Sequence, residues 1–180
     1  MINLFEGMKM GSKKQQKAYA AIKELDICND LSTYNPVLCG TLPIGIDVVG
    51  SDLDIVMEVQ DLDHFEERLQ TLYNNKDNFT LKRATIRGNQ VVKANFFFSN
   101  FEFELFGQSQ PVQKQNAYLH MLIEYKLLKK DPILKEKVIN LKMQGYKTEP
   151  AFCTLLDIPG DPYEGLIQFG VEEGIVTEVL

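Results

Sequence analysis

Residues 39–55 read CGTLPIGIDVVGSDLDI, and they are the most informative part of the sequence. The apolar run that precedes it stops at Gly40, and the segment 41–50, which contains Gly and Pro, predicts a loop. The apolar and partly β-branched segment 52–59 then predicts a strand. The chain therefore enters a loop from one strand and leaves it in a second strand that begins with acidic residues.

Asp52 and Asp54 stand two positions apart on this predicted strand. Because alternate strand residues point to the same side, their carboxylates would be presented together, while Leu53 and Ile55 enter the core. Carboxylate oxygens suit Mg²⁺, which binds few protein ligands and keeps positions for phosphate and water. Two ions about 4 Å apart hold both the attacking and the leaving oxygen of a phosphoryl displacement. The pair therefore predicts a divalent-metal site.

The glycine and threonine at the start of the loop suit a phosphate group. Gly40, directly after a strand, lets the backbone approach closely, and the hydroxyl of Thr41 adds a donor beside backbone N–H groups. We therefore expect a phosphate-binding turn at these two residues.

A third acidic group would come from another strand. Residues 101–105 read FEFEL, so Glu102 and Glu104 would both face the side opposite the phenylalanines. A solvated strand with one polar face shows the same alternation. The choice between a ligand and a surface role, and between the two glutamates, stays open on this pattern alone.

Gly40-Thr41 followed by Gly50-Ser51-Asp52-Leu53-Asp54-Ile55 resembles the signature of the polymerase-beta-like nucleotidyltransferase superfamily. The resemblance implies a mixed sheet flanked by helices and a third carboxylate on a later strand. It also implies two Mg²⁺ or Mn²⁺ ions and transfer of a nucleoside monophosphate from a triphosphate. Asp52, Asp54 and Glu104 would then be the catalytic and metal-binding residues, with Glu102 as the substitute. Ser51 would join the phosphate-binding residues.

The chain is also similar to a group of small bacterial proteins within that superfamily, a domain of unknown function with no assigned substrate. This wider resemblance covers most of the chain and favours Glu104 as the third carboxylate. It rests on segments 40–59, 103–108, 115–120 and 147–152.

The remaining pattern predicts an α+β fold, a mixed sheet with helices and a helical C-terminal part. Ser12 is expected to cap a helix, Asp63 to cap another, and Gly88-Asn89 to form a hairpin turn. Beyond residue 110 the pattern is helical. We expect an α/β core over 1–110 and helices over 111–180 that pack on it as one structural unit.

The sequence departs from the superfamily pattern in its charges. No Lys or Arg lies between Gly40 and Asp54, so the triphosphate charge would be met by residues elsewhere. The candidates are Lys82, Arg83, Arg87 and Lys93. The further candidates for substrate contact are His120, Glu124 and Lys147; a helical His/Glu pair four residues apart is more often a surface or satisfied polar pair.

Composition limits the function classes. The net charge of −6 disfavours general nucleic-acid binding, which depends on Lys and Arg neutralising phosphates. Three scattered cysteines and the absence of a secretory pattern predict a reducing, cytoplasmic location. No apolar run approaches the roughly 20 residues that span a bilayer, so no membrane partner is expected.

Three functions remain open. The first is a metal-dependent nucleotidyltransferase that takes a nucleoside triphosphate and an unknown acceptor. The second is a binding or regulatory module that keeps the fold without turnover, as the missing basic residue suggests. The third is a metal-dependent phosphoester hydrolase, in which water replaces the acceptor.

Overall fold

The computed structural model describes residues 4–177, which form a mixed five-stranded sheet and eight α-helices within that range. The strands are β1 (Val37–Cys39), β2 (Leu53–Glu58), β3 (Asp77–Ile86), β4 (Asn89–Phe98) and β5 (Phe101–Gln108). The helices are α1 (Leu4–Gly7), α2 (Lys13–Glu24), α3 (Ile27–Asp30), α4 (Leu62–Tyr73), α5 (Asn116–Lys130), α6 (Ile133–Met143), α7 (Thr148–Leu156) and α8 (Pro162–Glu172). The expected α+β class is confirmed.

The chain divides into two compact units. One contains residues up to 45 together with 52–112, and thus the whole sheet; the other contains 46–51 and the residues from 113 onward. No helix within residues 4–177 is both long and apolar enough to cross a bilayer.

The sheet has the strand order β1-β2-β5-β4-β3. β2 and β5 run parallel, whereas every other neighbouring pair is antiparallel. The parallel pairing is reached because α4 and the β3–β4 hairpin lie between these two strands in the chain. As a result, β2 and β5 are central strands that lie side by side.

The core of the first unit covers one face of this sheet. Phe65 and Leu69 of α4 are fully buried, as are Phe96 and Phe103 of the adjacent strands. The rings of Phe96 and Phe103 stack with centroids 5.2 Å apart, and Tyr73 stacks on Phe96 at 4.9 Å. Because successive strand residues point to opposite faces, the neighbours of Phe96 on β4 and of Phe103 on β5 point to the other face of the sheet. That face carries the acidic side chains.

The predicted cap of α2 is confirmed and has a second role. The Oγ atom of Ser12 accepts a hydrogen bond from the Gln15 backbone N–H, and the Gln15 side chain accepts one from the Ser12 N–H, which makes a capping box. The Gln15 amide also donates to the carbonyl of Leu42 at 2.9 Å. This contact anchors the loop that follows Gly40.

Two local predictions are wrong. Asp61, not Asp63, caps α4, accepting from the N–H of His64 at 3.0 Å; Asp63 is free instead to pair with Arg83 at 2.6 Å. The β3–β4 turn is formed by Arg87 and Gly88, both at positive φ, rather than by Gly88 and Asn89. A tight hairpin turn of this kind requires positive φ at both central residues, and arginine adopts it here.

Candidate active site

The parallel pairing of β2 and β5 brings the acidic residues together. Asp54 is the register partner of Glu104, and Asp52 immediately precedes β2. One oxygen from each of Asp52, Asp54 and Glu104 can be chosen so that all three lie within 4.8 Å of one another. All three residues are half-buried.

This donor set fits a divalent metal ion. Three carboxylates are hard oxygen donors, the ligand type that Mg²⁺ and Mn²⁺ accept, and half-burial leaves room for phosphate and water. Within residues 4–177, no other group of three acidic, histidine or cysteine side chains converges in this way. The two aspartates and the glutamate would hold the ion, and three anionic groups this close would favour a cation among them.

Gly40 lies against the carboxylate of Asp54. β1 pairs with β2 so that Cys39 is opposite Asp54, and Gly40 follows directly with φ +76°. A Cβ built on Gly40 would overlap the Oδ2 atom of Asp54 and lie 3.3 Å from its Cγ. Glycine is therefore favoured here for two reasons, the left-handed backbone and the close approach.

The other two residues that the sequence predicts to contact phosphate, Thr41 and Ser51, lie in the loop after Gly40. Thr41 follows Gly40 in the first unit. Ser51 belongs to the second unit, where its Oγ accepts a hydrogen bond from the N–H of Val48 at 2.9 Å. That bond closes the turn at the end of the loop, so a phosphate role for the Ser51 hydroxyl stays a prediction.

Lys93 makes an ion pair with Glu104. Lys93 lies on β4, and its register partner on the neighbouring strand β5 is Phe106. Glu104 is two residues before Phe106, so Lys93 sits diagonally across from Glu104 on the same face of the sheet. The side chains are 39% exposed for Lys93 and 21% exposed for Glu104. The sequence indicated Lys93 only as a substrate contact; its pairing with a carboxylate of the acidic group depends on strand register that the sequence does not show.

The other basic candidates lie elsewhere. Arg83 is held by Asp63 and by Glu66, the latter at 2.9 Å, and these bonds raise the pKa of its guanidinium. Arg87 lies in the hairpin turn. Lys82 is exposed, and it is the register partner of Lys93, one strand farther from the acidic residues.

Glu102 is half-buried on the same face as Glu104 but is outside the convergent group. Its register partner is Phe97 on β4, whereas that of Glu104 is Asn95. The register of β5 thus distinguishes two glutamates that alternation alone treats alike.

A separate buried polar cluster lies in the second unit. His120 of α5 is 5% exposed; its Nε2 donates to the carbonyl of Tyr163 at 2.8 Å, and its Nδ1 lies 3.3 Å from the carboxylate of Glu149. Burial lowers the pKa of His120, but these two bonds outweigh it and raise the pKa above its usual value. Burial likewise acts to raise the pKa of Glu149, yet the bond from His120 leaves it lowered.

Glu124 belongs to the same cluster. It is 3% exposed, and burial together with the charge of Glu149 raises the pKa of its carboxyl to about 8, against the influence of His120 and Lys142. The predicted His120 and Glu124 pair is thus a buried polar pair rather than a surface one. Sequence reasoning missed the part played by Glu149, although this residue follows the predicted helix start at Thr148. Lys147 is the cap residue of α7.

Comparison with known proteins agrees with this geometry at the level of the fold. One similar solved structure is the Cid1 poly(U) polymerase with MgGTP bound: TM-score 0.54, 18% identity, 77% of this chain and 45% of that chain covered. The polymerase core of the TRAMP RNA surveillance complex gives a TM-score of 0.52 at 12% identity, covering 86% and 48% of the two chains. The GLD-2/RNP-8 complex gives 0.54 at 14% identity, covering 93% and 64%. The fold is that of the nucleotidyltransferase polymerases.

Within that fold, residues 20–169 match the model of the family described as "Domain of unknown function (DUF4269)", and the chain belongs to that family. A search of curated proteins found no match. The chain spans roughly half to two thirds of the length of the solved polymerase chains above, 45%, 48% and 64%.

Proposed function

We propose that this chain is a divalent-metal-dependent nucleotidyltransferase that moves a nucleoside monophosphate from a nucleoside triphosphate to a hydroxyl acceptor. The observation that carries the proposal is the convergence of Asp52, Asp54 and Glu104 within 4.8 Å. The close approach of Gly40 to Asp54 and the nucleotidyltransferase fold support it.

Each residue has a role in this reaction. Asp52, Asp54 and Glu104 would hold two Mg²⁺ or Mn²⁺ ions, which supply charge stabilisation to the reacting phosphate. Gly40 and Thr41 bind the outer phosphates through the backbone and a hydroxyl. The acceptor oxygen forms a bond to the α-phosphorus as the bond from that phosphorus to the bridging oxygen breaks. Pyrophosphate leaves, and Glu104 is best placed to receive the acceptor proton.

We propose the class of acceptor by analogy with the similar solved structures. One solved relative is described by its RNA terminal uridylyl transferase activity and another as the polymerase core of an RNA surveillance complex. These descriptions give no support to the expectation that the chain avoids nucleic acid. An RNA 3′ end is therefore the first acceptor to test, ahead of small-molecule hydroxyls.

Titration calorimetry of Mn²⁺ with each nucleoside triphosphate tests the proposal. We expect metal-dependent triphosphate binding by the wild type and its loss in Asp54→Asn, which keeps the side-chain size and removes the charge. Asp157→Asn is the matched control, because Asp157 is exposed and has a left-handed backbone that asparagine tolerates. Absence of binding by folded wild type overturns the proposal.

A non-catalytic binding module is the second candidate, and the ion pair between Lys93 and Glu104 favours it. An ammonium group already neutralises one of the three carboxylates. Product analysis with an α-phosphate label separates the candidates. Label on the acceptor indicates transfer, free monophosphate indicates hydrolysis, and unchanged triphosphate despite binding indicates the module.

A further inference from the structure

The four basic residues considered for triphosphate binding are not equivalent in the structure. Arg83 is held by two carboxylates of α4, Asp63 and Glu66, and Arg87 lies in a hairpin turn. Lys93, in contrast, makes an ion pair with Glu104 of the acidic group itself. It is therefore the basic side chain best placed to act at this site.

The strand register explains how Lys93 reaches Glu104. Asn95 is directly opposite Glu104, and Lys93 is two residues before it on the same face of β4. Diagonal neighbours in an antiparallel pair have Cα atoms about 7–8 Å apart, within the reach of a lysine side chain. Lys93 thus lies beside the acidic group without needing any change of backbone.

The electrostatics favour a cation at this place. Three carboxylates whose oxygens converge within 4.8 Å repel one another, and a nearby positive charge offsets that repulsion. Lys93 is more than one-third exposed, and ion pairs with that exposure are weak. A divalent ion with twice the charge can therefore displace the ammonium from Glu104.

We propose that Lys93 is an exchangeable counter-cation: it neutralises Glu104 while the metal site is empty, and it moves onto the triphosphate when the metal binds. This inference rests on the proposed function and adds the residue that links metal loading to substrate binding. It also identifies a source for the positive charge that the loop between Gly40 and Asp54 lacks. Lys93 is here a substrate-binding residue as well as a competitor of the metal.

The two halves of this exchange predict opposite effects of Lys93→Met. Without nucleotide, Mn²⁺ should bind about fivefold more tightly, because the competing charge is gone. With saturating Mn²⁺, a non-hydrolysable triphosphate should bind about fivefold more weakly, because a phosphate partner is lost. Calorimetry of both steps gives the two constants, and Lys93→Gln serves as a second variant should the methionine variant fold poorly.

Lys82→Met is the matched comparison. It removes the same charge from the register partner of Lys93, one strand farther away, so both constants should change much less. A general loss of positive charge would affect the two variants alike and would contradict an exchange specific to Lys93.

The outcomes separate this inference from the proposed function. If wild type binds Mn²⁺ and Lys93→Met binds it no more tightly, the exchange is wrong while the metal site stands. If neither protein binds Mn²⁺, both proposals are wrong. The melting temperature in EDTA adds a metal-free readout. Lys93→Met should melt at a lower temperature than wild type. Adding Glu104→Gln to this variant should recover most of the difference, because one of the repelling carboxylate charges is then absent.

Discussion

Gly40 lies so close to Asp54 that a single methyl group added to Gly40 would occupy the space of the Asp54 carboxylate. The contact arises because β1 ends opposite Asp54 and the chain turns away there with positive φ. The turn at Gly40 and the carboxylate of Asp54 in the acidic group are therefore in direct steric contact.

Gly40→Ala should weaken Mn²⁺ binding by about tenfold, because the added methyl group pushes the Asp54 carboxylate away from its partners. It should also cost about 1–2 kcal/mol of unfolding free energy through the left-handed backbone. Calorimetry and denaturant titration measure the two effects.

Gly50→Ala is the control, since Gly50 has φ +83° with open space around its Cβ position. This variant should lose stability and keep its metal affinity. Equal metal affinities in the two variants would contradict the steric explanation.

Glu104→Gln and Glu102→Gln should differ sharply. Both remove one negative charge from the same face of β5, but only Glu104 is in the convergent group. We expect at least about tenfold weaker Mn²⁺ binding for Glu104→Gln and less than about twofold for Glu102→Gln. Calorimetry under identical conditions decides the matter. A larger effect from Glu102→Gln would make Glu102 the third ligand.

The second unit should lose stability as the pH rises. Burial raises the pKa of Glu124 to about 8 from its usual 4.5, so between these values the folded state keeps a proton that the unfolded state releases. Unfolding free energy therefore falls with rising pH through that window. The pKa of His120 is also raised by folding. Its contribution to stability is complete below the usual histidine pKa of 6.5 and is lost as the pH rises through its raised pKa in the folded state. Both groups act in the same direction.

Thermal unfolding from about pH 6 to about pH 9 measures this trend. Glu124→Gln should flatten the decline and melt above wild type at the alkaline end, because a neutral amide carries no ionisation cost. Glu136→Gln, at an exposed position on α6, should keep the wild-type profile. An unchanged pH dependence in Glu124→Gln would show that Glu124 does not hold its proton in the folded state.

Gly107→Ala tests the packing behind the site. A Cβ on Gly107 would lie 2.7 Å from Cγ2 of Val59 and also against the ring of Phe65. Overpacking of this kind costs about 1–3 kcal/mol. Gly7→Ala, in a helix with open space at the Cβ position, should be neutral or slightly stabilising. Urea unfolding compares the two, and an equally stable Gly107→Ala would mean that α4 is less tightly packed on β5 than the structure indicates.

Features that depend on neighbouring residues could be predicted from the sequence. Ser12 carries the recognisable pattern of a capping box, and the strand after residue 52 has a clear apolar composition. Strand alternation predicted that Asp52 and Asp54 present their carboxylates together, and the structure brings these oxygens within 4.8 Å of each other. The face on which Glu102 and Glu104 lie followed from alternation alone, and the structure confirms it.

Features that depend on strand register could not be predicted from local patterns. The preference for Glu104 over Glu102 came from the family resemblance alone, whereas in the structure the parallel pairing of β2 and β5 places Glu104 opposite Asp54 in the convergent group. The ion pair of Lys93 and the approach of Gly40 to Asp54 likewise depend on partners distant in sequence. No local pattern encodes such register, because it is set by contacts between residues distant in sequence.

The parallel pairing of β2 and β5 also bears on the order of events during synthesis. A nascent chain that has emerged only as far as β4 already contains Asp52 and Asp54 but no Glu104. The three carboxylates converge only once β5 lies between β2 and β4, and long-range pairings of this kind form slowly. Metal would then bind the finished sheet in preference to earlier intermediates, and by mass action it would draw late folding forward.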